Sequence, residues 1–148
     1  MLAVLLYAKN GINTPLFDPE PRDGSGRPPL AMGEQMSRAG AALAVTFLMN
    51  SGISLARALQ EVSKMTGWRR DDLRSFRGKV ASDNFASGKD SERWAPAIKM
   101  YREMLAETQQ QAEQARAAHG SAAEREAWRD AAAGILLSLR ANGWTGKR

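Results

Sequence analysis

Five cations stand close together in the middle of this chain: Arg69, Arg70, Arg74, Arg77 and Lys79. Guanidinium and ammonium groups in such an array do one thing well, which is to neutralise and hydrogen-bond anions, and repeated phosphates are the anions that match their spacing. From Lys64 to Val80 six positive residues meet only Asp71 and Asp72, a net charge of +4 in a chain whose total is +5. The charge imbalance is thus concentrated in one segment. A sequence pI near 10.0 keeps the chain soluble and directs its non-specific contacts toward nucleic acid or anionic membrane. The same balance argues against a DNA mimic or a cation-sequestering protein.

Other chemistry finds little material. The chain has no cysteine, which removes disulfides, thiolate nucleophiles and Cys-based zinc sites together. His119 is the lone imidazole and has neither a nucleophile nor an orienting carboxylate suggested beside it. Asp71-Asp72 and Glu124/Glu126 fall in the first turns of expected helices, where dipole and capping account for them. Gly24-Ser25-Gly26 has no framing strand and helix, and Gly88-Lys89-Asp90 has Asp90 where a phosphate-binding loop needs Ser or Thr. The expectation is a protein that is not an enzyme, with no catalytic residues, cofactor or metal.

The elements that must position the cations are helical. Ala is abundant and Val, Ile and Thr are scarce, which favours helix over strand. Residues 1–8 are apolar but lack a basic stretch before them and stop at Lys9, too short to span a bilayer and a poor export signal. Five of the six prolines fall in residues 10–32 among Gly11, Gly24 and Gly26, so an extended arm is predicted there, with Leu16 and Phe17 as its anchors. The division expected is residues 1–32 as apolar segment and arm, and residues 33–148 as one helical domain.

Within that domain the first helix is predicted over residues 34–49, apolar on more than one face and therefore mostly buried. Asn50-Ser51-Gly52 stops it, Ser54 caps a second helix carrying Ala58, Leu59 and Val62, and Thr66-Gly67 breaks that one. A third helix starts around Arg69–Asp71, with Leu73, Phe76 and Val80 facing inward. Residues 81–90 read as a loop. A fourth helix is expected from Ser91 or Ala95, keeping Pro96 in its first turn, with Trp94, Ile98, Tyr101, Leu105 and Ala112 at helical spacing. Its Gln109-to-Arg116 stretch is polar with an alanine seam, suited to solvent or to a partner. Ser121-Ala-Ala-Glu124 is a capping-box pattern for the last helix, whose inner stripe is Trp128, Ala131, Ala132, Ile135, Leu136 and Leu139. Asn142-Gly143 ends it, with Trp144 expected to fold back on Leu139. The fold class is all-α, a compact bundle of about five helices.

Residues 59–78 carry a resemblance. Val62 followed by the small Ser63, Gly67 at a turn tolerant of positive φ, and Trp68, Leu73 and Phe76 on the second helix together resemble a twenty-residue bacterial helix-turn-helix. The alignment turns Arg69, Arg70, Asp71, Arg74, Ser75 and Arg77 outward. It departs from the pattern at Arg69, where Ser, Thr or Asp usually caps the second helix, and at Asp71, a carboxylate where a base or phosphate contact is expected. The resemblance implies a DNA-binding module with Arg69, Arg70, Arg74 and Arg77 as contacts and Lys79 just beyond.

The functional expectation is accordingly a cytoplasmic duplex-DNA-binding protein, with transcriptional regulation as its setting and a basic helix in the major groove. The alternative is a non-enzymatic interaction or assembly module, a homodimer or a complex with another protein formed through the arm or the Ala/Gln helix. A membrane-surface role is disfavoured because Arg70 and Arg74 lack a flanking stripe of large apolar residues.

Overall fold

Between Ala39 and Leu48 the chain carries no charge, and a helix apolar on every side has to be enclosed by the rest of the protein. In the computed structural model, which describes residues 32–82 and 89–141, that helix is the centre of the molecule. The element order is α1 (Met32–Asn50), α2 (Leu55–Thr66), α3 (Arg70–Ala81), α4 (Lys89–His119) and α5 (Ser121–Ala141). The described residues contain no strand, and the all-α bundle expected from the sequence is the fold.

Helix α1 packs against all four other helices, and its most extensive contact is with α5. Ala39, Ala41, Ala42, Leu43, Ala44, Val45 and Phe47 are wholly buried. A Cβ at Gly40 would lie 3.2 Å from Leu139 Cδ2, so a glycine here lets α1 and α5 approach closely. Phe47 meets Trp128 of α5 with ring centroids 5.4 Å apart. The predicted inner stripe of the last helix holds: Trp128, Ala131, Ala132, Ile135 and Leu139 are buried, with Leu136 packed beside them.

Short-range signals set most helix ends. Gly52 adopts φ 101°, and the Ile53 N–H reaches back to the Leu48 carbonyl at 3.2 Å, closing α1. Gly120 at φ 93° closes α4, its N–H donating to the Arg116 carbonyl at 2.8 Å.

Three expectations need correcting. Helix α4 begins at Lys89, so Pro96 lies inside it and not in its first turn. The proline ring costs the bond to the Glu92 carbonyl, but Glu92 and Pro96 are exposed to water while Trp94 and Ala97 on either side are buried, and that packing carries the helix through. Ala81, Lys89 and Asp90, expected in the loop of residues 81–90, are helical. Ser121 is the first residue of α5 and not its cap: the Glu124 N–H donates to the Gly120 carbonyl at 3.3 Å, and the Glu124 carboxylate sits 3.6 Å from Arg116. The N-terminal apolar segment and arm, the residues 83–88 of the connection, and the expected Trp144 cap lie outside the described residues, except that Met32, assigned to the arm, opens α1. Among the described residues no helix is long and apolar enough to cross a membrane.

Candidate nucleic-acid interface

The cationic segment is held by two short helices and the turn between them. Helix α2 is capped by Ser54, whose Oγ accepts from the Arg57 N–H at 3.4 Å, and it buries Ala58, Leu59, Val62 and Thr66 where it packs among α1, α3 and α5. Gly67 then takes a left-handed conformation, φ 78° and ψ 0°, and its N–H donates to the Ser63 carbonyl at 2.8 Å. Only glycine adopts that conformation without steric cost from a Cβ.

Side-chain hydroxyls fasten the turn. Thr66 Oγ1 donates to the Val62 carbonyl at 2.7 Å and accepts from the Trp68 N–H at 3.4 Å. Ser63 Oγ donates to the Trp68 carbonyl. Ser63 is therefore needed for more than its small size. It ties the end of α2 to the residue that leads into α3.

Helix α3 starts at Arg70, with Arg69 in extended conformation at the N-cap and no side-chain cap bond. The missing cap is the consequence of arginine at that position, since its side chain carries no acceptor. Asp71 and Asp72 in the first turn supply negative charge to the positive end of the helix dipole. The helix is anchored by Leu73 and Val80, which are 2% and 3% exposed. Phe76 is only half-buried, in tilted contact with Trp94 with centroids 5.0 Å apart and ring planes at 59°. Trp68 is half-buried too, with the Arg38 guanidinium 5.8 Å from its ring centroid. Arg38 is also 3.7 Å from Glu34 on the preceding turn of α1. Between α1 and α3 a groove of about 370 Å³ is lined by Glu34, Arg38, Trp68, Arg69, Asp72 and Phe76 among others.

Four of the five singled-out cations share an exposed setting. Arg69, Arg70, Arg74 and Lys79 are exposed, and none of them forms an ion pair among the described residues. Lys64, in the last turn of α2, is exposed as well.

Arg77 differs. The sequence alignment turns it outward, yet it is half-buried and its Nε donates to Thr46 Oγ1 of α1 at 3.0 Å. That hydroxyl is 2.7 Å from the Tyr101 hydroxyl of α4 and 3.2 Å from the Ala42 carbonyl. Three helices meet at one threonine. Arg77 consequently fixes how α3 lies on the bundle, and of the five cations singled out the other four, together with Lys64, are the exposed ones.

The sequence does not single out Thr46, and it marks Tyr101 only as one of the apolar-face positions of α4. The signal available was Thr46 itself: a hydroxyl in the middle of an otherwise apolar, enclosed helix must find a partner. The identity of the partner depends on chain segments 31 and 55 residues away.

His119 is exposed at the end of α4. Among the described residues no group of three or more acidic or imidazole side chains is placed to hold a metal ion. No protein-family model, curated protein or solved structure matches this chain.

Proposed function

We propose that this protein binds duplex DNA through the exposed face of α3, as a module of the helix-turn-helix type and in the setting of a transcriptional regulator. The observation that carries the reading is the group Arg69, Arg70, Arg74 and Lys79, exposed and without ion-pair partners among the described residues, at the N-cap and along a short helix that follows a glycine turn. Unpaired guanidinium groups on a rigid element are what phosphate contact requires, because each contact then releases a condensed counterion without first breaking an internal pair. The turn matters equally, since Gly67 and Ser63 fix the direction in which α3 leaves α2.

With four such contacts, log K for a mixed-sequence duplex falls against log salt with a slope of roughly −3 to −4. The double change Arg70→Ala and Arg74→Ala leaves Leu73 and Val80 in place, so the fold survives. Duplex affinity, read by fluorescence anisotropy, drops by about 2 kcal/mol or more, roughly 30-fold, and the slope shrinks to about −2. Equal binding by wild type and double variant, or no wild-type binding at low salt, rejects the reading.

A second reading has one observation in its favour. Leu137 of α5 is 63% exposed and Met65 of α2 is 42% exposed, large apolar side chains of the kind that a protein partner covers. An assembly module, self-associating or bound to another protein, is the function supported if the duplex experiment fails.

A further inference from the structure

Glycine inside a helix is less favourable than alanine, so it calls for a reason. Gly40 has one in the contact with Leu139. Among the described residues Gly78 has none. It is the ninth residue of α3, well inside Arg70–Ala81, and the cap is Ser82, whose N–H donates to the Gly78 carbonyl at 3.1 Å. Its φ is not among the positive ones, so backbone conformation does not demand glycine. A Cβ built there meets nothing within 4 Å.

The neighbours of Gly78 on the helix surface are Arg74 and Ser75 one turn before it, Ala81 and Ser82 one turn after it, and Arg77 and Lys79 beside it; all but the half-buried Arg77 are exposed. The bare patch of backbone thus lies between Arg74 on one side and Lys79 on the other, with Asp71 two turns earlier on the same line of the helix. Glycine recurs where another backbone comes into close contact with the chain.

Resting on the duplex-binding reading, we infer that Gly78 is where the phosphodiester backbone of the bound strand passes closest to α3. The strand comes into van der Waals contact with the helix at the missing side chain. Arg74 and Lys79 then reach phosphates on either side of the contact, and the Ser75 hydroxyl is a further donor. Contacts of this kind set the register of the protein on the duplex and do not depend on base sequence. A side chain at residue 78 holds the strand away and lengthens every contact around it.

The test separates folding from binding because the two effects have opposite signs. Gly78→Ala and Gly78→Leu both introduce better helix formers at an open position, so each raises Tm in thermal unfolding by about 2–6 °C. Against a mixed-sequence duplex at low salt, Gly78→Ala binds at least 5-fold more weakly than wild type and Gly78→Leu at least 30-fold more weakly. Variants that are more stable and bind as tightly as wild type overturn the inference. A lowered Tm in Gly78→Ala also overturns it, because glycine would then serve the fold. If wild type binds with the expected salt slope and Arg70→Ala/Arg74→Ala weakens it while the Gly78 variants do not, the duplex reading stands and this inference falls. Failure of wild type to bind removes both.

Discussion

Helices α1 and α3 touch, yet they are opposites. In α1 every residue from Ala39 to Leu48 is buried, while among the twelve residues of α3 only Leu73 and Val80 are. One glycine in each makes the same point: Gly40 faces Leu139 at a helix crossing, and Gly78 faces open space. Helix α1 is held by hydrophobic burial on all sides, which scales with the apolar area taken from water. Helix α3 is held by buried Leu73 and Val80, by Phe76 against Trp94, at the glycine turn before it, and by the Arg77 bond to Thr46. Substitutions in α1 therefore register as stability. Substitutions on the outer face of α3 should register as binding.

The largest effect that tests this contrast is in α1. Phe47→Ala removes a side chain that is wholly buried against Trp128, and urea unfolding is expected to show a loss of about 3–5 kcal/mol. A loss below about 1 kcal/mol would mean that α1 is not the centre of the core.

The next effect lies at the junction of the two helices. Arg77→Ala leaves the Thr46 hydroxyl without its donor from α3 and is expected to cost about 1–1.5 kcal/mol, and Tyr101→Phe about 0.5–1.5 kcal/mol. The two losses should not add, because both act through Thr46; a double-mutant cycle reads the coupling. The salt slope of duplex binding separates Arg77 from its neighbours. It is unchanged in Arg77→Ala if the residue only positions α3, and it falls by about 1 if Arg77 contacts a phosphate.

The smallest expected change is at the start of the two-helix unit. Ser54→Ala removes the cap of α2, and with an exposed bond of 3.4 Å the loss is expected at about 0.5–1 kcal/mol in the same unfolding assay. Duplex affinity is unaffected if the cap acts on α2 alone.

The helix limits around the candidate interface were legible because their causes are local. Ser54, Gly52 and Gly67 act through bonds to residues at most five positions away, so a reader of the sequence sees both partners at once. The burial of α1 was legible for a different reason, since a run without charges leaves no face for water. Pro96 misled because its local rule is real but is outweighed by Trp94 and Ala97 packed in the bundle. The capping-box pattern misled in the same way, as Arg116 of the preceding helix takes the Glu124 carboxylate.

By itself, the sequence determined the fold class, the glycine turn, and the concentration of positive charge between Lys64 and Val80. Only the tertiary structure decided which of those charges stay outside. Arg77 and Arg74 are the same residue type three positions apart on one helix; Arg77 lies four after Leu73 and three before Val80, at the edge of the inner stripe, but nothing along the chain names the partner that holds it. The difference is a hydroxyl pair, Thr46 and Tyr101, brought to Arg77 by α1 and α4. A polar pair enclosed among apolar side chains favours a further donor strongly, because an unmet hydrogen bond costs far more there than in water.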